Sequence, residues 1–443
     1  MSQAAIDHFL SEHARFQNDS TSWLNQQRQS AIDVLGKNGF PSTRHEAWKY
    51  TDVRSLLKRN FTVADDVSPE KLNEAQLKEI RYPGLECHEL IFVNGHFSAD
   101  LSSPESSSAG GIVCSLASAN NENKQLIETY INQFARSEKH GFAALNGAFV
   151  VDGGFVHVPD NVELELPIHL IFISNSADKS FITHPRNLIV LGANAKATVI
   201  ESYVGFDDAE YCTNTVTEIV TGQGSTLEHY KLQQESNKSF HIGYLHAVCK
   251  KDSRLDSHSI SLGAALARND IDTTLAGPGA HVGLNGLYMT SGNQHIDNHT
   301  RVDHSMPNTS SDETYRGVLN GKSRAVFNGK VIVHKDAQKT DAQQSNANLL
   351  LSNDAEIDTK PELEIYADDV KCTHGATVGQ LDENMLFYLR SRAIDESTAL
   401  SLLTFAFAEE VIKKINLEPV RQRLEHKVAG RLPDTSLITE FMQ

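Results

Sequence analysis

A cysteine and a histidine stand two residues apart near the start of a helix, and their types suit metal chemistry. Cys372 and His374 lie where an extended segment gives way to that helix. In a strand, side chains at positions i and i+2 point to the same face, about 6–7 Å apart at the backbone. A thiolate and an imidazole placed side by side are good ligands for iron or zinc. The pair is therefore a candidate metal site.

An isolated Cys-x-His pair is a weak signal. The alternative for Cys372 and His374 is a buried cysteine and a hydrogen-bonded histidine at a domain junction. Spacing alone favours that structural interpretation. The choice between a metal site and a structural pair therefore depends on the surrounding sequence.

The densest group of histidines lies between residues 295 and 304. An H-x-x-x-H pair on a helix would bind metal, but here the context is strand and turn. Four residues of a strand span about 13 Å, so one ion could not bridge the pair within one strand. The pattern favours a polar face of the fold or an interface, formed by His295, His299, His304, Asp297 and Asp303.

Motifs of self-contained enzymes are absent from the sequence. It contains neither a G-x-x-x-x-G-K-[ST] phosphate loop nor a G-x-S-x-G nucleophile elbow. One enzymatic alternative stays open, a secreted-type β-helix enzyme acting on polysaccharide. Its acid/base cleft would be built from Asp297, Asp303, Arg301 and Arg316. Two tryptophans in 443 residues offer few platforms for stacking sugars, which disfavours this alternative.

The elements that position these residues change character near Gly153. From there short runs rich in Val, Ile, Leu and Thr alternate with Gly, Asn, Asp and Ser. A unit of a turn, a small residue and a short strand recurs from about residues 192, 222, 251, 277, 321 and 353. Such loose spacing is typical of a solenoid whose stacked strands bury one another's inward faces. We expect a mainly β fold, a right-handed parallel β-helix.

Helical segments are predicted before the solenoid. Apolar residues at helical spacing predict a first helix that ends at Gly36 and at Gly39-Phe40-Pro41. The apolar residues are Trp23, Leu24, Ala31, Ile32 and Leu35. The segment 44–57 is expected to form a helix packed through Trp48 and Tyr50. A strand is predicted for residues 90–97, a polar surface loop for 101–111 and a further helix for 121–140.

Helices return after Gly379. Asp382 and Asp395 are predicted N-caps, and Pro419 suits the first turn of the last helix. Met385, Leu386 and Leu389 share one helix face. The helix 395–415 carries an apolar stripe of Ala399, Leu402, Leu403, Ala406, Phe407 and Val411. The expected domains are a helical region 1–89, a connecting region 90–152, a β-helix 153–379 and a helical region 380–443.

Composition limits the partners. The formal net charge is −17 and the pI is near 5.6, which disfavours nucleic acid and anionic membrane surfaces. No apolar run is long enough to span a membrane. The N-terminus lacks the features of a secretory signal, and its Asp7 and Glu12 argue against a transit peptide. Five scattered cysteines form no C-x-x-C motif, so we expect a reduced, cytoplasmic protein.

The stretch 301–392 closely resembles the SufB/SufD family of iron–sulfur cluster assembly proteins, most specifically in KCTHGATVG and FYLRSRA. EAWKYTDVRSLL near the N-terminus is similar to the SufD branch of that family. SufB-like chains carry a cysteine in the helix where this chain has Leu389, which argues against the alternative of a SufB-type homodimeric scaffold. Ala393 replaces the usual glycine, a departure judged minor because alanine is a good helix former.

The resemblance implies a non-catalytic scaffold subunit. Such proteins pair with a SufB-like paralogue through their β-helices and bind a SufC-like ATPase, which hydrolyses ATP, through C-terminal helices. Sulfur comes from a cysteine desulfurase system. By this resemblance His374 and Cys372 contribute to a nascent iron–sulfur cluster at the SufB–SufD junction, and flavin is conceivable at the level of the complex. The expected ATPase-docking residues are Leu402, Leu403, Phe405, Phe407 and Glu410. Whether the chain forms a homodimer when alone stays open.

Overall fold

The computed structural model of the protein describes residues 2–16, 24–64, 72–103, 110–119, 121–133, 140–175, 180–206 and 209–441. The helices in these ranges are α1 (Ser2–Arg15), α2 (Asn25–Asn38), α3 (Arg54–Leu57), α4 (Glu74–Ile80), α5 (Asn121–Tyr130), α6 (Gly141–Phe149), α7 (Glu383–Arg390), α8 (Glu396–Ile412), α9 (Glu418–Ala429) and α10 (Ser436–Phe441). No helix in the described part of the chain is long and apolar enough to cross a lipid bilayer.

Strands occupy most of the chain between these helical ends. They are β1 (Thr62–Val63), β2 (His88–Val93), β3 (His96–Phe97), β4 (Ile112–Ser115), β5 (Gly154–Val158), β6 (Ile168–Ser174), β7 (Phe181–Thr183), β8 (Arg186–Leu191), β9 (Lys196–Gly205), β10 (Tyr211–Thr221), β11 (Thr226–Gln234), β12 (Phe240–Cys249), β13 (Arg254–Ser261), β14 (Leu266–Leu275), β15 (His281–Thr290), β16 (His295–His304), β17 (Ser310–Leu319), β18 (Arg324–Val333), β19 (Asp341–Leu350), β20 (Glu356–Ile365) and β21 (Lys371–Gly379).

Successive strands alternate between two sheets. Sheet A runs in the order β20-β18-β16-β14-β12-β10-β8-β5-β4, and sheet B in the order β21-β19-β17-β15-β13-β11-β9-β6-β2-β3. Along the solenoid each strand pairs in parallel with the strand one coil away, so that Cys212 lies opposite Phe240 and Phe240 opposite Leu266. The prediction of a mainly β protein with a parallel β-solenoid between helical ends is confirmed.

The turns at the two edges of the solenoid explain the uneven spacing of the sequence repeat. Asn194, Gly224, Asp252 and Gly279 have positive φ and lead from sheet A to sheet B. Each donates its backbone N–H to the turn of the next coil, which stacks the turns. The predicted units near 321 and 353 begin instead at turns from sheet B back to sheet A. The prediction of one repeating unit was wrong in that it merged two kinds of turn.

The N-terminal helices pack on the first coils through an apolar cluster. It includes Ile32, Leu35 and Trp48 and continues into α6 and sheet A. Helix α2 ends at Asn38 with Gly39 at φ 70°, so Gly36 lies inside the helix and was wrongly predicted to end it. Trp23 lies outside the described residues.

The segment 44–57 is only partly helical. It forms a 3-10 turn at Glu46–Trp48 and the single turn α3. Trp48 is buried as predicted, whereas Tyr50 is 37% exposed, so the prediction that it anchors the segment was wrong. The Lys49 ammonium lies 5.1 Å from the centre of the Tyr50 ring, a contact that a surface tyrosine can make.

The expected single strand at 90–97 is a hairpin. Asn94 and Gly95 adopt φ of 50° and 87°, and β2 and β3 pair in antiparallel fashion on either side of them. Asn-Gly favours this because both positions of a tight primed turn need positive φ. Strand β2 also pairs in parallel with β6, which brings residues 88–93 into sheet B. Parts of the predicted loop and helix, residues 104–109 and 134–139, lie outside the described residues.

The C-terminal helices begin where their caps predict. The Asp382 carboxylate accepts the Asn384 N–H at 2.8 Å, and that of Asp395 accepts the Thr398 N–H at 3.1 Å. The predicted apolar stripe of α8 was wrong at Ala406, which is exposed. The buried face of α8 is formed by smaller side chains than predicted, and it consists of Thr398, Ala399, Ser401, Thr404, Ala408, Val411 and Ile412.

Ala393, between α7 and α8, has φ 65°. An L-residue with a Cβ pays about 1–2 kcal/mol in this left-handed region, and glycine does not. The judgement that alanine is a harmless replacement was therefore wrong, because the residue caps a turn instead of continuing a helix. We expect Ala393→Gly to raise the free energy of unfolding by about 1 kcal/mol. Urea denaturation checks this, with Ala406→Gly inside α8 as a control that should lower stability by about 1 kcal/mol.

Candidate functional site at the open end of the solenoid

Cys372 and His374 lie on β21, the last strand of sheet B. Cys372 is opposite Ala342 and His374 is opposite Gln344 on the preceding coil. Ala342 and Gln344 are buried, and Cys372 packs against the same interior cluster as Ala342. The two side chains therefore share the inward face, as their spacing predicted.

This face is open at the last coil. In the described residues β21 pairs only with β19 and β20 only with β18, so each sheet ends in a free edge. Cys372 is half-buried and His374 is exposed. Burial raises the pKa of the Cys372 thiol above its ordinary value, so the isolated chain holds it protonated at neutral pH. A metal ion arriving at the pair would have to displace that proton.

Large apolar side chains are exposed around the open end. Phe387 is 73% exposed, and α7, on which it lies, has no buried residue. Most of the exposed large hydrophobics among the described residues lie here, namely Ile365, Tyr366, Val378, Met385, Phe387 and Tyr388. Free sheet edges and a concentration of exposed apolar side chains are both typical of an interface. The sequence carried a signal for it in the adjacent aromatic pair Phe387-Tyr388, which the sequence analysis used only as part of the FYLRSRA motif.

Directly below His374 the solenoid interior contains a buried acid. Gln344 Nε2 donates to Glu313 Oε2 at 2.6 Å, and Glu313 is in register with Gln344 one coil further in. Burial raises the pKa of the Glu313 carboxyl to about 7. Because a raised carboxyl pKa stabilises the fold only while the group is protonated, the contribution is full below pH 4.5 and is lost as pH rises through 7.

We expect Glu313→Gln to remove this loss of stability at high pH, because glutamine has no carboxyl group to ionise. The variant should gain about 3 kcal/mol of unfolding free energy relative to the wild type on going from pH 4 to pH 8. Chemical denaturation at the two pH values measures the difference. A gain independent of pH would show that the pKa of the Glu313 carboxyl is the same in the folded and the unfolded chain.

The histidine group of β16 does not form one metal site. His295 Nε2 lies 2.9 Å from Thr51 Oγ1, and His299 Nε2 lies 3.0 Å from Asp297 Oδ1. His304 is buried and its two ring nitrogens contact Thr309 and Ser311. The His295–Thr51 contact helps fix the N-terminal segment to sheet A, whereas the His299–Asp297 contact lies within β16; both agree with the expected polar face or interface.

The residues of the alternative acid/base cleft are not brought together. Asp297 is fully buried beside Arg268, while Arg301 and Asp303 pair with each other on the surface of sheet A. Arg316 lies on β17 in sheet B, where it pairs with Glu410. These four side chains lie on two different sheets, and each is paired with a partner of its own. The geometry therefore gives no support to a polysaccharide-cleaving site.

Most of the residues expected to dock an ATPase contribute to packing within the chain. The partly buried side chains that contact the outer face of sheet B and its helix cluster are Leu402, Phe405 and Phe407. The Arg316 guanidinium lies 5.1 Å from the centre of the Phe407 ring and also pairs with Glu410. Leu403 is half-buried and Glu410 is exposed, so both retain some accessible surface.

Comparison with known proteins assigns the chain to a family. The model for the SufBD core domain of SUF-system FeS cluster assembly matches residues 172–407, and that for the SufBD protein N-terminal region matches residues 1–170. The chain is 34% identical to the iron–sulfur cluster assembly SufBD family protein slr0076 of Synechocystis, covering 95% of this chain and 94% of that protein. It is 32% identical to the iron–sulfur cluster assembly protein SufD of Escherichia coli K12, covering 95% and 96%. SufD of Bacillus subtilis 168 is 26% identical, covering 91% and 92%. The chain belongs to the SufBD family of iron–sulfur cluster assembly proteins.

Proposed function

We propose that the protein is a SufD-type scaffold subunit that pairs with a SufB-like paralogue at its open end. The observation that carries this proposal is the position of Cys372 and His374 on the terminal strand of an uncapped solenoid. Two inward-facing ligands are too few for a cluster, which commonly takes four thiolates or a mixture with histidine. A paralogue joined edge to edge would supply the remaining ligands to the nascent cluster.

The free edges and the exposed aromatics give the pairing a physical basis. Unpaired N–H and C=O groups of β20 and β21 can add a strand from another chain to each sheet. The apolar side chains of α7 would be covered in the same contact, since Phe387 and Tyr388 are mostly exposed in the isolated chain. A second copy of this chain has the same edges, so a homodimer is expected to compete when the paralogue is absent.

The C-terminal helices are the proposed contact for a SufC-like ATPase, to which ATP hydrolysis belongs. Helix α7 starts four residues after Gly379, where β21 ends, and α8 packs on sheet B through Phe405 and Phe407. A displacement of α7 and α8 by the ATPase would therefore act directly on the strand that carries Cys372. This coupling predicts that nucleotide changes the reactivity of the Cys372 thiol in the assembled complex.

The other assignments follow from the same proposal. Sulfur would be delivered by a cysteine desulfurase system, and the complex would act in the cytoplasm. Iron and sulfur are cargo of the scaffold and not its resident cofactor. Flavin does not enter the proposal, because no feature of the described residues points to an isoalloxazine site.

The proposal is tested by anaerobic co-expression of this chain with SufB-like and SufC-like partners. Iron and acid-labile sulfide are measured in the purified complex for the wild type, His374→Ala and His334→Ala. His334 is a matched control, because it is a surface histidine on the solenoid whose ring is half-exposed. We expect all three complexes to assemble and only His374→Ala to lose most of its iron and sulfide. Equal cluster content in His374→Ala and the wild type would make the Cys372–His374 pair structural.

A further inference from the structure

A second group of metal-ligating side chains lies at the opposite end of sheet B. Glu89 on β2 and His169 on β6 are directly opposite each other in the parallel ladder. Cys87 precedes Glu89 by two residues in the extended segment leading into β2, so its side chain lies on the same face. One ligand atom from each of Cys87, Glu89 and His169 lies within 4.8 Å of the other two.

The His169 ring is buried with one nitrogen unsatisfied. His169 is fully buried, and its Nε2 lies 2.8 Å from Ser202 Oγ. Its Nδ1 is also buried and has no hydrogen-bond partner. With the proton on Nε2 donated to Ser202, the Nδ1 lone pair is left free, and buried polar atoms without partners are rare. A metal-binding histidine is typically held in this way, with the second ring nitrogen bonded to a neighbouring group.

The surroundings of Glu89 and Cys87 also favour the binding of a cation. Arg81 Nε donates to Glu89 Oε2 at 2.9 Å, which fixes the carboxylate and leaves Oε1 outside that bond. The Glu89 carboxylate also places a negative charge next to Cys87, and a metal ion that binds the sulfur would displace the thiol proton. The Tyr82 ring, 5.3 Å from the His169 ring, covers the site from the segment that follows α4. The group is thus partly enclosed between the first coil and the helical region.

We propose that Cys87, Glu89 and His169 bind a divalent transition metal ion through one sulfur, one oxygen and one nitrogen. Zinc and iron(II) accept such a mixed set, and zinc with three protein ligands keeps a fourth position for water or another ligand. Bond lengths of about 2.0–2.3 Å place tetrahedral ligands roughly 3.2–3.8 Å apart. The ligand atoms therefore need to close by at most about 1–1.5 Å, within the reach of side-chain rotation. The site is separate from Cys372 and His374, which lie on the last coil, and does not depend on the function proposed for them.

The test titrates the purified full-length chain with Co²⁺ alone, in a Cys372→Ser background that removes the other half-exposed thiol. Binding is expected to produce the sulfur-to-cobalt charge-transfer band of a thiolate ligand, and Zn²⁺ is expected to displace it. Adding Cys87→Ser should abolish the band. Ser202→Ala should keep the band but weaken Co²⁺ binding about 10–100-fold, because it removes only the group that orients His169.

Two results would overturn the proposal. One is the absence of a charge-transfer band in the Cys372→Ser background, and the other is a band that survives Cys87→Ser. If Cys87→Ser fails to fold by circular dichroism, Glu89→Gln decides, since it preserves the shape of the side chain. Unchanged Co²⁺ affinity in folded Glu89→Gln would contradict the three-residue site, whereas an affinity at least about tenfold weaker would support it.

Discussion

Arg268→Ala is expected to lower the free energy of unfolding by about 3–5 kcal/mol, the usual effect of leaving buried charges without their partner. Arg268 is fully buried on β14 and donates to Asp270 at 2.7 Å and to Asp297 at 2.6 Å. It also donates to Ala47 O at 2.8 Å, and its guanidinium lies 3.7 Å from the centre of the Trp48 ring. Its removal therefore leaves two buried carboxylates without their arginine partner and removes one of the contacts that hold the N-terminal segment on sheet A.

The matched control is Arg301→Ala, one coil further along the same sheet. Arg301 pairs with Asp303 at 2.6 Å, but its side chain is 46% exposed, so the expected loss is at most about 1 kcal/mol. Urea denaturation measures both variants. Equal losses would mean that the Arg268 network contributes no more than a surface ion pair.

Lowering the pH is expected to destabilise the fold through the ion pairs of Arg268. Burial alone would raise the pKa of Asp297, but the Arg268 charge outweighs it and lowers the pKa to about 2. A depressed carboxyl pKa stabilises the fold above the unfolded value of 3.8, and this contribution is lost as pH falls from about 4 to 2.

Phe387→Glu is expected to weaken pairing with the SufB-like paralogue by about 30-fold or more, or about 2 kcal/mol, the scale of an interface hot spot. Phe387 is 73% exposed on α7 beside the open end, so the change should leave the fold of the isolated chain intact. Burying a new carboxylate in an apolar contact is unfavourable unless a partner charge meets it. Affinity is measured by titrating the purified paralogue against the labelled chain.

Met306→Glu is the corresponding control. Met306 is also a large exposed apolar side chain, 39% exposed, but it lies at a turn between β16 and β17, away from the two terminal strands. The control should bind the paralogue like the wild type. If Phe387→Glu binds as well as Met306→Glu, α7 is not part of the contact and the pairing surface must lie elsewhere.

The sequence was most informative where local chemistry determines local structure. The caps Asp382 and Asp395 and the side-by-side placement of Cys372 and His374 depend on residues close in the chain, and all were predicted. The parallel solenoid was also predictable, because its repeat places turn residues and inward apolar residues at related positions.

Features that depend on contacts between distant segments were not predictable in this way. Arg268, which binds the N-terminal segment across more than two hundred residues of sequence, carried no local signal. His169 looks like an ordinary strand residue until the ladder places it opposite Glu89. The positive φ of Ala393 could be seen only in the folded chain, although the glycine that the family usually has there was a hint.

The most direct test of the central claim asks whether His374 binds the nascent cluster at the junction of two chains. This chain is labelled with ¹⁵N-histidine, assembled anaerobically with unlabelled partners, and studied by pulsed electron paramagnetic resonance in a paramagnetic state of the cluster. We predict a ¹⁵N coupling of a directly bound histidine that disappears in His374→Ala and persists in His334→Ala. A cluster without such a coupling, or with one that survives His374→Ala, would contradict the assignment of His374 as a cluster ligand.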